Sequence, residues 1–440
     1  MRASPPLLLV AALCTAPAAA QEAPARRTVT LEDALSSARQ HQPALLEAWA
    51  TADAARARAR QAEAPLYPQL NVTGGYSRST ANFVARPGAV PRAFTEGQAT
   101  RSFETYNFFN AGLSGTQLLW DFGQTRGRFD AAKATAEAAD GRARVSAQDV
   151  DGRVRAAFFQ AQAARALVAV GRETLANQER HVAQVQAFVE VGTRPEIDLA
   201  QVKTDRANAQ LQLIQAENGY DTARAQLLQS MGLEAGLDFD VDGAPLPELP
   251  GEDGDTEALV NEAVTARSEF AALDRDRAAL ESTLRSVRGT YWPQLSATAS
   301  LSEAGASLTN LAWNVNGGLN LTWPVYQGGL TDAQVAEAEA NVRALSARVA
   351  ALRQQVRLEV EQARLSVRAA KAGIGAAAEA ARNARERLKL AEGRYEAGVG
   401  NVIELADAQL ALTAADAQAV QAQFQLSAAR ASLLRALGRP

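Results

Sequence analysis

Residues 313–323 read Trp-Asn-Val-Asn-Gly-Gly-Leu-Asn-Leu-Thr-Trp, and this stretch decides the fold. An apolar residue or glycine stands at every odd position, and asparagine, glycine or threonine stands at every even position. Such alternation over about ten residues predicts a β-strand with one apolar and one polar face. A strand of this kind suits a sheet that has lipid on one side and water on the other.

Three other segments alternate in the same way. Strands are therefore predicted at about 68–82, 104–118, 293–303 and 311–323. Prolines stand where three of these strands meet the neighbouring helices, a position that tolerates a missing backbone donor. Aromatic side chains cluster at the same junctions and are expected to form an interfacial girdle. They are Tyr67, Trp120, Tyr291, Trp292, Trp323 and Tyr326.

The chain also contains an internal repeat. The motif Pro-Gln-Leu at 68–70 returns at 293–295, which is an offset of 225 residues. Further along, Gly192 matches Gly398 and Gly232 matches Gly438, both at an offset of 206. Two copies of one supersecondary unit argue for a pseudo-symmetric body and against a catalytic domain with an accessory domain.

Long helices follow each pair of strands. From 335 to 395, apolar or small residues recur at alternating steps of three and four, with a second step of four after 356. This heptad seam with one stutter predicts a helix roughly 100 Å long at about 1.5 Å per residue. The first copy carries the same seam. Helices are predicted at 31–66, about 124–190, about 195–231, 256–289, about 330–396 and about 401–437.

The first twenty residues form a targeting segment. Arg2 precedes an apolar run, and three alanines precede Gln21, which is the pattern of a cleavable secretory signal peptide. Cys14 would allow a lipid anchor, although Leu13 fits poorly before a lipidated cysteine. A segment rich in Asp, Pro and Gly separates the repeats. The predicted order is a signal peptide at 1–20, a first repeat at 21–235, a linker at 236–254 and a second repeat at 255–440.

Composition excludes several functions. The formal net charge of −4 gives no reason to expect nucleic-acid binding. The only cysteine lies in the targeting segment, and the two histidines, His41 and His181, have no ligand spacing. No glycine-rich phosphate loop or nucleophile motif is present. We therefore predict no enzyme activity, no cofactor and no bound metal.

The elements together predict a mainly α-helical protein that supplies part of a membrane β-barrel. Four strands cannot close a barrel, because about eight are the practical minimum. An open sheet edge in lipid would leave backbone groups without hydrogen-bond partners. The chain is therefore expected to oligomerise, and the strands themselves do not choose between two, three and four copies.

The chain resembles the TolC-like outer-membrane efflux proteins over nearly its whole predicted mature length. The resemblance rests on the duplicated unit and on Tyr-Trp-Pro-Gln-Leu at 291–295, Leu-Trp-Asp-Phe-Gly at 119–123, Val-Tyr-Gln-Gly-Gly at 325–329 and Arg-Tyr-Glu-Ala-Gly at 394–398. It implies a homotrimer with a 12-stranded barrel in the outer membrane and a tunnel of long helices in the periplasm. It also implies a passive export duct that contacts a periplasmic adaptor and an inner-membrane RND, ABC or MFS pump.

The resemblance also assigns residues at the helix tips. Glu404 and Asp407 match an acidic ring at the tunnel entrance, and Asp198 and Tyr395 match residues that help hold the entrance closed. The ordinary alternatives are a solvated helix face for the carboxylates and the last seam position for Tyr395. Four tip residues match adaptor-docking positions or are simply helix caps: Gly192, Thr193, Gly398 and Val399.

One position departs from the family pattern. The family's closing arginine falls on Gly400, whereas Arg194 occupies the equivalent position of the first copy. The sequence does not decide whether Arg194 replaces the missing arginine. It also leaves open a periplasmic adaptor, which likewise carries a long helical hairpin, and it does not name the cargo or the pump.

Overall fold

The computed structural model describes residues 27–80, 102–234 and 236–439. The predicted signal peptide and Cys14 lie outside the described residues. Eight α-helices are present in the described part of the chain. Their bounds are α1 Leu31–His41, α2 Pro43–Glu63, α3 Gln124–Glu190, α4 Glu196–Met231, α5 Thr256–Ala266, α6 Ser268–Gly289, α7 Leu330–Glu396 and α8 Val402–Leu437.

The strands form two separate sheets. Their bounds are β1 Arg27–Val29, β2 Gln69–Thr80, β3 Thr105–Trp120, β4 Phe239–Val241, β5 Gln294–Ser307 and β6 Asn310–Thr322. The larger sheet is antiparallel with the order β2-β3-β5-β6, so the two hairpins of the duplicated unit lie side by side. Strands β1 and β4 form a short parallel pair away from it. The predicted combination of long helices, internal duplication and four longer strands is confirmed.

The register of the larger sheet separates its two faces. Val72, Leu113, Leu301 and Val315 are successive partners across all four strands. One residue along, Asn71, Ser114, Ser300 and Asn316 form the neighbouring row. Adjacent residues of a strand point to opposite faces, so one face of the sheet is apolar and the other is polar. No helix of the described residues covers the apolar face, since Val72 is 83% exposed and Leu319 is 71% exposed.

The two long helices, α3 and α7, are the elements on which the other helices below the sheet pack. Helices α3 and α7 have 67 residues each, which gives a length of roughly 100 Å. The upper part of α3 packs on α2 through alanines of both helices and is tied to α6 by an ion pair of 2.6 Å between Arg142 and Asp276. The lower part packs on α4 and α8. Alanine dominates these contacts because small side chains let neighbouring helices approach closely. Within the described residues, no helix is both long and apolar enough to cross a membrane.

Two predicted helices are each broken into two. The helix expected at 31–66 stops at Gln42, whose backbone is extended, because Pro43 cannot donate the hydrogen bond that would continue the first segment. The helix expected at 256–289 breaks at Arg267, also extended, without a proline. Arg267 is held there by carboxylates of Glu269 and Glu359 at 2.9 and 2.6 Å. The predicted linker at 236–254 also contains strand β4.

A glycine ends each of the two return helices, α4 and α8. It lies against the break between the two shorter helices above, α1 and α2 in the first repeat and α5 and α6 in the second. Gly232 ends α4 and Gly438 ends α8, with φ of 73° and 71°. A Cβ at Gly232 would lie 2.6 Å from the carbonyl oxygen of His41, and one at Gly438 would lie 2.9 Å from Cγ of Arg267. The end of each return helix thus abuts the break between two upper helices. This close approach requires glycine for both its backbone angle and its missing side chain.

Replacing either capping glycine should weaken the helical body. We expect Gly232→Ala and Gly438→Ala each to cost at least about 1 kcal/mol, because alanine is strained at positive φ and its Cβ would clash. Thermal unfolding followed by circular dichroism at 222 nm measures this. The control is Gly219→Ala inside α4, where a Cβ meets nothing within 4 Å and alanine should be neutral or stabilising. Equal unfolding temperatures in all three variants would contradict the close-approach argument.

Candidate functional site at the helix tips

The tips are two matching turns. At the end of α3, the N–H of Thr193 donates to the carbonyl of Phe188 at 3.0 Å, and Gly192 has a φ of 77°. At the end of α7, Val399 donates to the carbonyl of Arg394 at 3.1 Å, and Gly398 also has a φ of 77°. Both turns are Schellman motifs, in which glycine takes the left-handed position. The repeat therefore places two equivalent turns at the same end of the molecule.

Tyr395 is the centre of a hydrophobic cluster between these turns. Its side chain is among the largest fully buried ones, with 1% of the residue exposed. Its ring lies 6.4 Å from that of Phe188 on the other copy. The cluster joins α3, α4, α7 and α8, so both copies of the repeat are fastened together at their tips. Its other buried members are Val185, Val202, Ala391, Val402, Leu405 and Ala408.

Arg194 crosses from the first tip to Tyr395. Its Nη2 donates to the backbone carbonyl of Tyr395 at 3.0 Å, and its Cζ lies 4.3 Å from the centroid of the ring. This combines a hydrogen bond with a cation–π contact. Burial raises the pKa of the Tyr395 phenol, Arg194 lowers it and Asp198 raises it, with a net upward shift. The phenol oxygen is buried without a hydrogen-bond partner among the described residues.

Gly400 has no room for a side chain. A Cβ there would lie 2.8 Å from the backbone nitrogen of Tyr395 and 2.9 Å from the carbonyl carbon of Arg394. An arginine at this position would require the turn to be rebuilt. The arginine next to Tyr395 therefore comes from the first copy, at Arg194, and the sequence alone could not show which of the two turns would reach the ring.

The three predicted carboxylates are not equivalent. Glu404 and Asp407 are exposed on one face of α8, whereas Asp198 is buried at 9% exposure beside the Tyr395 cluster. Glu404 also has an ion-pair partner, since its Oε1 lies 3.3 Å from Nε of Arg394. Among the described residues Asp407 has no such pair. The structure thus brings Asp198 and Tyr395 together and leaves Glu404 and Asp407 on the surface.

The predicted docking positions form an exposed rim. Gly192, Thr193 and Gly398 are all exposed, and Val399 is 71% exposed. Two apolar residues of the first tip, Val191 and Ile197, join them at 78% and 74% exposure. The sequence pattern missed this pair, although both residues fall outside the heptad seam and that departure could have identified them.

The predicted interfacial aromatics lie at the lower end of the sheet, and all six are exposed by at least 42%. The structure adds Phe122, which stacks on Trp292 with ring centroids 5.3 Å apart and meets Trp120 edge-on at 5.9 Å. Phe122 has a φ of 52°, the only positive value among the described non-glycine residues. The strained backbone at the end of β3 therefore turns an aromatic side chain towards the same belt.

A buried polar layer lies above the tip cluster, between α3 and the second copy. Gln178 donates to the side-chain oxygen of Gln409 at 2.8 Å, and His181 is 8% exposed. The nearest carboxylate to the histidine is Glu392 of α7, with an Nε2–Oε1 distance of 3.7 Å. Burial lowers the pKa of His181, against an opposing effect of Glu392, while Arg180 on the same helix lowers it further.

One acidic cluster has the spacing of a cation site. Glu248, Glu252 and Asp253 of the segment before α5 lie together, but Lys371 of α7 is already among them, at 3.5, 2.7 and 2.7 Å. Desolvation raises the pKa of Glu252, yet hydrogen bonds from Arg430 and Lys371 outweigh it and hold the pKa at about 2. The cluster therefore fastens the inter-repeat segment to α7 and α8.

The comparisons with known proteins agree with this architecture. A family model described as "Outer membrane efflux protein" matches residues 34–233 and 259–439. Outer membrane protein OprJ of Pseudomonas aeruginosa is 26% identical over 405 residues, covering 88% of this chain and 79% of that protein. The pyoverdine export outer membrane protein OpmQ of the same species is 25% identical over 397 residues, covering 88% and 81%.

A solved structure shares the fold. The CmeC outer membrane channel of Campylobacter jejuni superposes with a TM-score of 0.80 and 16% identity, over 98% of this chain and 94% of that chain. Long helices below an amphipathic four-stranded sheet are the fold of this chain, and the CmeC chain shares it. The chain belongs to the outer membrane efflux protein family. It is thus an outer-membrane transport protein and not an enzyme.

Acid should weaken the seam at His181. Its lowered pKa means that the folded state binds fewer protons than the unfolded chain, so stability falls once pH drops below about 6.5. We expect the unfolding temperature of His181→Gln to fall less between pH 7.5 and 5.5 than that of the parent, by roughly a few degrees. His41→Gln, which removes the exposed second histidine, should behave like the parent. If the unfolding temperature of His181→Gln fell as much as that of the parent, protonation of His181 would not be the cause of the acid sensitivity.

Proposed function

We propose that three copies of this chain form the exit duct of a tripartite efflux or type I secretion system. The duct would conduct solutes passively from the periplasm to the exterior and be gated at the helix tips. A periplasmic adaptor and an inner-membrane RND, ABC or MFS pump would supply the solute and the energy. Membership of the outer membrane efflux protein family supports the location and the transport role.

The observation that carries the proposal is the sheet with two unlike faces and two free edges. Strands β2 and β6 each have one partner within the described chain. In a hydrocarbon environment every backbone N–H and C=O without a partner costs several kcal/mol. Pairing β6 of one copy with β2 of the next removes both edges. Three copies would then give a closed barrel of 12 strands with the apolar face towards lipid.

The helix lengths fit the same assembly. Helices α3 and α7 start at the sheet and continue for roughly 100 Å, which is enough to cross a wide aqueous compartment below the membrane. Each chain has four helical rows, which are α3, α7, α4 with α2 above it, and α8 with α6 above it. Three chains would therefore form a tunnel of 12 rows. The interfacial aromatics at the sheet–helix junction mark where lipid ends.

The contact of Arg194 with Tyr395 supports a gate at the tips. It joins the two copies of the repeat where the tunnel would be narrowest, beside the buried carboxylate of Asp198. Opening an entrance there requires the tips to separate, and this contact resists separation. We assign to Arg194 the locking role for which position 400 has no space.

The exposed carboxylates of α8 support an acidic ring. Glu404 and Asp407 are three residues apart and share a helix face, so a trimer would bring six carboxylates near one axis. Such a ring attracts cations. Because Arg394 offsets Glu404, Asp407 should contribute the larger share of the field. The exposed rim of Gly192, Thr193, Gly398 and Val399 is left as the proposed adaptor-docking surface.

No observation favours the periplasmic adaptor considered from the sequence, because the family model covers both helical repeats and belongs to outer-membrane proteins. The cargo is less constrained. The relative OpmQ is named for pyoverdine export, which supports a small-molecule cargo over a polypeptide.

The assembly is tested by its location and size. The mature protein should be recovered with the outer membrane after osmotic shock, and detergent extracts should contain a species of three subunits by light scattering. In planar bilayers that species should form discrete ion-conducting channels. Recovery in the soluble periplasmic fraction, or a monomer in mild detergent, would refute the duct.

The gate is tested by removing its contact. Arg194→Ala should raise the ratio of open to closed channels roughly a hundredfold or more, since a cation–π contact with a hydrogen bond contributes about 1–2 kcal/mol per subunit and three subunits open together. Arg387→Ala, an exposed arginine of α7, is the matched control. In the opened background, Asp407→Asn should reduce the preference for potassium over chloride more than Glu404→Gln. An unchanged open fraction in Arg194→Ala would remove Arg194 from the gate.

A further inference from the structure

The polar face of the larger sheet contains no side chain that is charged at neutral pH, and its one ionisable group is the phenol of Tyr106. The pairing register assigns nearly every residue of β2, β3, β5 and β6 to one of the two faces. On the polar face stand amides, hydroxyls and small residues, with few apolar side chains. Its central rows are Gln69, Thr116, Thr298 and Gly318, then Asn71, Ser114, Ser300 and Asn316, then Thr73, Gly112, Ser302 and Asn314.

The four strands do contain two charges, and both lie on the opposite face. Arg78 is an even-numbered residue of β2, in line with Leu70, Val72 and Tyr76. Glu303 of β5 is in line with Leu301 and pairs with Trp313. Both are near the hairpin ends far from the helices, where long side chains can reach the headgroup level of a membrane. Within these strands, charge is thus absent from the face that would line the pore.

We propose that the strand-built exit segment of the duct is an electrically neutral pore that passes solutes of either charge and selects by size alone. This rests on the proposed trimeric duct, in which the polar face surrounds the axis. Amide and hydroxyl groups solvate cations and anions comparably, because each offers both donors and acceptors. Charge selection would then be confined to the helical part, whose entrance carries Asp407 and Glu404.

The proposal fits a cargo of small molecules whose charge varies. A ring of fixed charges in a narrow wall would bind one sign of solute and repel the other, because a low-dielectric wall strengthens the field. A neutral wall of short side chains avoids both effects at the last step before release. The exit would therefore add no discrimination to that made at the pump or the tip.

Single cysteines give a direct test. The chain's one natural cysteine, Cys14, lies in the predicted signal peptide, so a new cysteine in the mature protein is unique. Asn316→Cys places it on the polar face, and Val315→Cys places it one residue away on the apolar face. Ser300→Cys and Leu301→Cys repeat the pair on β5, and the change at Ser300 is nearly isosteric. Trimer yield in detergent shows that each variant folds.

Charged methanethiosulfonates are then applied to trimers in planar bilayers. At Asn316→Cys and Ser300→Cys, the sulfonate reagent should raise the potassium-to-chloride permeability ratio roughly threefold and the trimethylammonium reagent should lower it by about as much, at low salt. The equal and opposite response is the signature of a neutral starting wall. Val315→Cys and Leu301→Cys should not react, since their thiols would face lipid.

Three outcomes would overturn the proposal. Reaction at Val315→Cys and none at Asn316→Cys would place the polar face outside. A large response to the cationic reagent with little response to the anionic one would reveal a wall that already carries negative charge. No response to either reagent, despite labelling shown by mass spectrometry, would mean that the strands do not line the conducting path. Absence of any current both in the unmodified parent and in Arg194→Ala would instead refute the duct itself.

Discussion

The pairing of backbone groups at the two edges of the larger sheet is the constraint on which the rest of the molecule depends. Strands β2 and β6 leave one side of their backbone without a partner in the described chain, and the apolar face between them is uncovered. Water could solvate the edges but not the face, and lipid could cover the face but not the edges. The proposed closed ring of several chains in a membrane would satisfy both. The duplicated hairpins suit such a ring, because each repeat adds two strands to it and each chain adds four.

The helical body below the sheet depends on a different constraint, which is the close approach of its helices. The chain enters the sheet twice, from α2 and from α6, and leaves it twice, along α3 and α7, and each long helix is followed by an antiparallel return helix. The return helices are too short to reach the sheet, so α2 and α6 complete the distance above them. Gly232 and Gly438 let these stacked segments meet, because a side chain at either position would collide with the break above. The small alanine side chains of the seams let neighbouring helices pack closely.

At the tips the apolar side chains are buried within the chain, whereas those of the sheet are exposed. Burial there is intramolecular, around Tyr395, and the polar groups that remain exposed are carboxylates of α8. The chain departs from strict two-fold repetition at this point. Arg194 and Gly400 are equivalent by the repeat, yet one carries a guanidinium on the Tyr395 ring and the other has no space for a side chain. Duplication supplies the two turns, and the difference between the copies gives them separate tasks.

The fold class, the internal duplication and the two faces of the strands could all be predicted from the sequence, because heptad seams and strict alternation are local patterns that can be recognised without knowledge of contacts. The sequence placed one helix over 31–66 and another over 256–289, and both were wrong. The break at Gln42 has a local cause in Pro43, but the break at Arg267 depends on Glu359 and Gly438, which are distant in sequence. Only the tertiary structure decided that Arg194 contacts Tyr395, that Asp198 is buried and that Arg394 pairs with Glu404. Each of these depends on how two turns of different copies approach, and periodicity carries no information about that distance.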